Sequence, residues 1–287
     1  MEARLYQNHH AAELFVKDKI TYPDILKKFI IDFLLRLDPD RKSDQLQFDL
    51  MLDMGCANGL QTKIFAEHFS KVIGIDKSEE QIKMAIKENS SDNIQYVIGD
   101  ESNMPALDNT VDLVWCCFAF HYMNVETYIR ECERVLKSTG GTIICGHDFV
   151  DIMLHENEGS QLQSGMNILE QYLRKSAEWF KTHAPLQYEL TLRYEKVYNR
   201  ISGVRKYRND DLVGAISLSL EDLRTHFNAI PEYYMFQEWV KENENHDPLE
   251  ECIKKMKKLW KLENSLDCDV KVTIKLSFFV ICFTKNV

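Results

Sequence analysis

Residues 52–59 read LDMGCANG, and this stretch decides the fold of the chain. An apolar run over 48–54 leads into it, and a helical pattern over 60–69 follows directly. A glycine-rich turn between a strand and a helix lets backbone N–H groups and the helix N-terminus approach a ligand closely. Gly55 permits the tight turn, and Gly59 begins the close strand-to-helix packing. The stretch therefore predicts a ligand-binding turn at the end of a strand.

Short apolar runs alternate with helical patterns along the first half of the chain. Strands are predicted over 48–54, 72–75, 94–98, 111–118 and 141–146, and helices over 23–37, 60–69, 79–88 and 125–136. This alternation with short connections implies a parallel sheet covered by helices on both faces. Beyond residue 149, helical patterns predominate over 168–181, 219–227, 233–241 and 249–262. The β-branched and aromatic stretch over 270–284 predicts one or two final strands.

Two ligands compete for the glycine-rich turn. A dinucleotide fingerprint, G-x-G-x-x-G/A, requires Gly or Ala at the position of Leu60, so the turn favours a ligand without a pyrophosphate. Asp76 ends the next predicted strand, where a carboxylate accepts both ribose hydroxyls; capping of the following helix is the alternative, for which Ser78 competes. Asp100 ends the strand after that, where it accepts an adenine amine or lies in an ordinary turn.

The order of these motifs resembles a class I S-adenosylmethionine-dependent methyltransferase over residues 45–147. Residues 134–142, RVLKSTGGT, are similar to the family's helix, glycine-rich turn and fifth strand. The resemblance implies an α/β fold with a doubly wound, mostly parallel seven-stranded sheet, a Rossmann-like core and a largely helical substrate cap. It also implies S-adenosylmethionine as cofactor, with S-adenosylhomocysteine as its product. Ala57 departs from the family, which usually has glycine there, and its methyl group could weaken the approach of the cofactor's methionine tail.

The resemblance implies both the division of the chain and a set of cofactor-binding residues. Residues 1–40 are expected to form an N-terminal lid and first helix, 41–148 the cofactor-binding core, 149–268 the helical cap, and 269–287 a final strand returning to the core sheet. The expected cofactor-binding residues are Lys19, Tyr22, Asp53, Gly55, Cys56, Ala57, Asp76, Lys77, Asp100, Glu101, Phe118 and His121. Of these, His121 is also the predicted catalytic residue.

A narrower resemblance lies outside the glycine-rich core. Residues 15–23, FVKDKITYP, and residues 119–122, AFHY, are similar to motifs of the trans-aconitate methyltransferase group, and the juvenile hormone acid methyltransferases share the His-aromatic pair. Both groups esterify small carboxylic acids. By this analogy Lys19 lies near the cofactor carboxylate and Tyr22 covers the site as a lid. The alternative for Tyr22 is that it simply begins a helix. The alternative for His121 is a structural role beneath the cofactor or lid.

The acceptor chemistry follows from how many bases the crevice offers. A carboxylate, whose reference pKa is about 4, arrives ionised and needs no strong base, whereas a phenol or amine more often does. His121 is the histidine predicted beside the cofactor edge, while His147 and Asp148 lie near the crevice or in a turn. Five arginines lie in the predicted cap, where one or two could clamp a carboxylate, or where they are solvated on the surface. They are Arg174, Arg193, Arg200, Arg205 and Arg208.

We therefore expect methyl-ester formation on a small-molecule acid, trans-aconitate-like or isoprenoid. Methylation of a small amine or phenol, or a catalytically silent S-adenosylmethionine-binding interaction protein, are the alternatives. The net charge of −10 disfavours a nucleic-acid groove, and no apolar run reaches the roughly 20 residues of a membrane helix. The chain has eight cysteines without a CxxC pair and no signal-like N-terminus, which favours a cytoplasmic protein. The absence of metal-ligand spacing favours a protein without a metal. We expect neither a membrane nor a nucleic-acid partner, and a monomer or homodimer.

Overall fold

The computed structural model describes Asp18 and residues 22–41, 47–155 and 163–285. Its seven-stranded sheet has the order β3-β2-β1-β4-β5-β7-β6. The strands are β1 (Phe48–Met54), β2 (Phe69–Asp76), β3 (Ile94–Ile98), β4 (Val111–Cys117), β5 (Leu136–Leu154), β6 (Arg205–Ser219) and β7 (Lys271–Thr284). β1 to β5 are mutually parallel, and β7 runs antiparallel between β5 and β6. The predicted doubly wound, mostly parallel seven-stranded sheet is confirmed.

The sheet reverses its strand order at β1. The chain passes from β1 to β2 and β3 on one side, then crosses to β4 on the other side. Ligand crevices form outside the carboxyl ends of the strands at such a reversal. β1 is buried from Met51 to Met54 and pairs with both β2 and β4, so the turn that follows it is held at the mouth of this crevice.

Helices cover both faces of the parallel strands. They are α1 (Asp24–Leu37), α2 (Leu60–Ile64), α3 (Glu79–Asn89) and α4 (Val125–Val135). α1 buries Leu26, Ile30 and Leu34, whose spacing of four residues places them on one face of the helix. α2 is shorter than its predicted span of 60–69, because a 3₁₀ turn over Ala66–His68 leads directly into β2.

The described residues that follow β5 form six further helices and the two strands β6 and β7. The helices are α5 (Met166–His183), α6 (Pro185–Thr191), α7 (Glu195–Arg200), α8 (Leu220–Ala229), α9 (Pro231–Glu244) and α10 (Pro248–Leu259). The structure differs from the sequence-based expectation at β6, which lies inside the span predicted to be helical. β6 pairs with β7 from Arg205 to Ser219 as the outermost strand of the sheet. The division into lid, core and cap stays a prediction.

Two apolar clusters pack on the two faces of the sheet. Leu113 and Trp115 of β4 belong to one cluster, while Val114 and Cys116 belong to the other. Alternation of side chains along a strand produces this division, and it requires a strand buried on both sides. Among the helices of the described ranges, none combines the length and the apolar character needed to cross a membrane.

Candidate active site

The backbone after β1 curls into a turn of left-handed residues. Gly55, Ala57 and Gly59 have φ angles of +77°, +47° and +76°. The N–H of Gly55 donates to the carbonyl of Ile75 at 2.8 Å, which ties the turn to β2. A Cβ at Gly59 would lie 2.3 Å from the hydroxyl of Tyr96, so glycine is required there. Ala57 carries its Cβ in a region that costs an L-residue about 1–2 kcal/mol.

Asp76, at the end of β2, presents its carboxylate to this turn. Its Oδ2 accepts from the N–H of Ala57 at 3.0 Å, and its Oδ1 accepts from the N–H of Ser78 at 2.8 Å. Burial raises the pKa of Asp76, and these two backbone hydrogen bonds oppose the rise. Each carboxylate oxygen can accept a further hydrogen bond, and the hydroxyl of Ser78 rather than Asp76 caps α3. The geometry fits a pair of ribose hydroxyls.

Asp53 is the last residue but one of β1, just before the glycine-rich turn. Its side chain is 3% exposed, and its Oδ2 accepts from the hydroxyl of Thr62 at 2.6 Å. Burial raises the pKa of Asp53 to about 7, although the hydrogen bond from Thr62 opposes this rise. The carboxylate thus anchors the start of α2 and remains in the wall of the crevice.

The loop after β3 supplies two further acidic groups. Asp100 is exposed, and its Oδ1 accepts from both the N–H and the hydroxyl of Ser102. The hydrogen bond from the Ser102 hydroxyl is the main reason that the pKa of Asp100 is lowered. Glu101 accepts from the N–H of Asn124 at 2.8 Å, so this loop is joined to the start of α4. An ionised Asp100 suits an exocyclic adenine amine as hydrogen-bond donor.

One continuous cavity of about 680 Å³ runs from this edge of the sheet toward α5, α6 and α8. The predicted residues that line it are Tyr22, Asp53, Gly55, Cys56, Ala57, Asp76, Lys77, Asp100, Glu101 and Phe118. Lys19 was predicted as well and lies outside the described residues. The structure therefore brings together at one site residues from the ends of β1, β2, β3 and β4.

His121 is placed differently from its prediction. Its ring is 6% exposed, lies behind Tyr122 at a centroid distance of 4.0 Å, and is not part of the cavity wall. Its Nδ1 lies 2.7 Å from the hydroxyl of Tyr194. Burial lowers the pKa of His121 to about 3, so the ring is neutral. His121 therefore lies outside the cavity wall, where the turn after β4 places Tyr122 instead, and its predicted roles in cofactor binding and catalysis stay predictions.

Tyr22 forms part of the wall where β4 ends. Its ring stacks at 6.4 Å on Phe118, and its edge contacts Trp115 and Phe278. The thiol of Cys117 donates to its hydroxyl at 3.0 Å. Phe118 itself has a φ of +54°, a strained conformation that concentrates at functional sites. Tyr22 thus lines the cavity where β4 ends, and both its contact with the cofactor and its movement as a lid stay predictions.

The far end of the cavity contains two histidines outside the predicted site list. His147 of β5 contacts Phe118 edge-to-face at 4.7 Å, and its buried Nδ1 has no hydrogen-bond partner among the described residues. Burial lowers the pKa of His147 to about 3. His226 of α8 lies with its Nδ1 2.8 Å from Oδ2 of Asp18. The sequence signal for His147 was its place at the end of a predicted strand. Asp18 and His226 are 208 residues apart, and no sequence motif joins them.

A family profile described as a methyltransferase domain matches residues 52–145. Together with the strand order and the geometry of the turn after β1, this match defines the core as a class I S-adenosylmethionine-dependent methyltransferase domain.

Curated relatives agree with this class, and a solved structure shares the fold. A Dictyostelium discoideum protein named as a methyltransferase is 32% identical over 36% of this chain and 38% of its own length. The malonyl-[acyl-carrier protein] O-methyltransferase of Hamiltonella defensa is 28% identical over 33% of this chain and 36% of its own length. The chain thus matches less than half the length of these curated relatives. A solved structure described as a type II methyltransferase from Anaeromyxobacter dehalogenans has the same fold, with a TM-score of 0.57, 13% identity and coverage of 86% of this chain and 94% of that one.

Proposed function

We propose that this protein transfers a methyl group from S-adenosylmethionine to an oxygen atom of a small acceptor with an apolar body. The observation that carries the proposal is the continuous cavity, whose two ends differ in chemistry. Acidic side chains and backbone amides line the end at β1–β3. The other end combines a set of apolar or aromatic residues with a few polar ones, and its apolar or aromatic members are Phe149, Leu173, Leu190, Phe227 and Tyr233. Methyl transfer is an in-line displacement whose main requirement is the positioning of both reactants in one cavity.

The cofactor assignment rests on three groups along the edge of the sheet. Asp76 accepts the ribose hydroxyls, Asp100 accepts the adenine amine, and the turn at Gly55 receives the methionine end. Because these groups end three successive strands, a single extended ligand spans them.

The volume of the cavity and the apolar residues at its far end favour a small acceptor over a macromolecular one. Drug-sized ligands occupy pockets of about 300–1,000 Å³ with mainly hydrophobic and aromatic walls. An acceptor with a ring or a branched hydrocarbon body would bury most of its surface against the five residues named above.

The carboxylate acceptor expected from the sequence remains one candidate. The relative named as a malonyl-[acyl-carrier protein] O-methyltransferase supports it, as do the motifs at 15–23 and 119–122. The charges of the cavity do not favour it. Of the five cap arginines, Arg174 lines the cavity and is paired with Glu170 at 2.7 Å, whereas Arg193 is paired with Asp148 at 3.3 Å.

The proposal is tested by presenting matched carboxylic acids, phenols and amines with S-adenosylmethionine labelled in its methyl group. We expect label on an oxygen of a small acceptor, as a base-labile ester or a base-stable ether. Asp76→Ala should lower the rate of this transfer, because it weakens the binding of S-adenosylmethionine. Binding of S-adenosylmethionine without transfer to any small acceptor would contradict the proposal.

A further inference from the structure

We infer that Asp18 and His226 form a general-base pair in the acceptor end of the cavity, and that the acceptor is a phenolic hydroxyl, which must lose its proton during transfer. This inference rests on the proposed function and specifies its substrate class.

The pair has the geometry of an oriented base. Oδ2 of Asp18 lies 2.8 Å from Nδ1 of His226, with side chains that are 13% and 12% exposed, and both residues line the cavity. In the neutral tautomer that donates from Nδ1 to this carboxylate, Nε2 of His226 carries the lone pair that can accept a proton. The same division of roles lets a carboxylate orient a histidine base in hydrolytic triads.

The surroundings hold the imidazole of His226 in one orientation. Its ring contacts Phe149 of β5 at 6.2 Å and Phe227 at 5.6 Å, both edge-to-face. α8 itself begins at a capping box between Ser219 and Asp222, which fixes the start of the helix. A base held by a carboxylate and two aromatic rings loses little orientation when an acceptor binds.

His147 gives a second, independent indication of a polar ligand. Its buried Nδ1 has no partner among the described residues, although buried polar atoms in proteins are nearly always hydrogen-bonded. Burial and the neighbouring His226 lower its pKa to about 3, so it faces the cavity as a neutral ring. A neutral imidazole can bond to a hydroxyl of the acceptor and adds no positive charge that would hold a carboxylate.

The fixed charges in this part of the cavity favour an acceptor that enters uncharged. Asp18 precedes α1, Asp148 lies on β5, and Glu170 lies on α5. Arg174 of α5 lines this end and is paired with Glu170, while Arg193, outside the cavity wall, is paired with Asp148. A carboxylate acceptor would have to compete with these carboxyl groups for the two arginines, whereas a phenol enters neutral and packs its ring against the aromatic wall.

The transfer then balances as a single displacement. The phenolic oxygen forms a bond to the methyl carbon while the carbon–sulfur bond breaks, and that electron pair returns to sulfur as S-adenosylhomocysteine forms. Nε2 of His226 takes the phenolic proton, and the carboxylate of Asp18 stabilises the resulting imidazolium. The proton leaves to water after the products depart.

The experiment compares His226→Gln and Asp18→Asn on two phenols of similar size, one protonated and one nitro-substituted and largely ionised at the assay pH. With the protonated phenol, we expect His226→Gln to lower kcat by about 10²–10⁴-fold, as for loss of a general base. With the ionised phenol, kcat should change by only a few-fold. His246→Gln, at a partly exposed contact with Glu251 outside the cavity, is the matched control and should match the wild type.

Other outcomes would overturn the inference. An equal loss on both phenols indicates a structural role for His226. Base-labile label on a carboxylic acid, or label confined to an amine, contradicts the phenolic acceptor and leaves methyl transfer itself intact. If the wild type binds S-adenosylmethionine and methylates no small acceptor, the proposed function fails first, and this inference fails with it.

Discussion

The N–H of Ala57 donates a 3.0 Å hydrogen bond to the carboxylate of Asp76, which joins the turn after β1 to the end of β2. Ala57 can do so only because it adopts a φ of +47°. The position where the family usually has glycine therefore keeps the left-handed backbone that a glycine would adopt, and the alanine side chain does not prevent the turn from reaching the neighbouring strand.

Replacing Asp76 should weaken cofactor binding. Asp76→Ala removes hydrogen bonds to a charged acceptor, worth roughly 1.5–3 kcal/mol, so the Kd for S-adenosylmethionine should rise about ten-fold or more by calorimetry. The same change leaves the N–H groups of Ala57 and Ser78 without their acceptor, so Asp76→Asn is a necessary companion that keeps one acceptor oxygen. Asp92→Ala, at an exposed position before β3, is the control. Unchanged affinity in folded Asp76→Ala would contradict the ribose assignment.

Replacing Ala57 with glycine should stabilise the protein. The left-handed backbone costs alanine about 1–2 kcal/mol, and glycine avoids this cost. The greater chain entropy of glycine in the unfolded state offsets about 0.5–1 kcal/mol of that stabilisation. We expect Ala57→Gly to raise the free energy of unfolding by about 0.5–1 kcal/mol in urea titrations. Ala85→Gly, in the interior of α3, should lower it by about 1 kcal/mol. A loss of stability in both variants would show that Ala57 is not strained.

The stability of the protein should depend on pH through Asp53. Its folded-state pKa of about 7 lies above the ordinary value near 3.8, so the folded state binds the proton more tightly. The contribution of Asp53 to the free energy of unfolding is fully present below about pH 4 and is lost as the pH rises through 7. The loss amounts to up to about 4 kcal/mol. Asp53→Asn should therefore gain stability relative to the wild type between pH 4 and pH 8. Asp92→Asn is the exposed control, and parallel pH curves for Asp53→Asn and wild type would refute the assignment.

His121 should prove to be a structural residue. Its pKa is lowered to about 3 from an ordinary value near 6.5, so its contribution to stability is present above pH 6.5 and is lost as the pH falls toward 3. His121→Ala leaves the Tyr194 hydroxyl without this partner and should lower the free energy of unfolding by about 1–3 kcal/mol at pH 7. Tyr194→Phe removes the same hydrogen bond from the other side and should resemble it. A large loss of kcat with normal stability would restore a catalytic role to His121.

The cofactor half of the site could be predicted from the sequence because its signals are local. Gly55, Asp76 and Asp100 each follow a short apolar run, and the carboxyl ends of parallel strands meet at one edge of a sheet. Spacing along the chain therefore translates directly into position. The same reasoning could not identify β6, because its sequence, RKYRNDDLVGAISLS, carries the charges of an outermost strand and lacks a continuous apolar run.

The acceptor half was decided only by the tertiary structure. His121 follows β4 and His147 lies on the neighbouring β5, yet His121 lies behind Tyr122 while His147 lines the cavity, a difference set by packing in the turn after β4. Asp18 and His226 come together only when α8 packs over the crevice. By itself the sequence determined the five parallel strands, the turn after β1 and the cofactor edge, since periodicity and strand ends are properties of neighbouring residues. Which side chains meet above that edge depends on contacts between segments distant in the chain, and local patterns do not encode them.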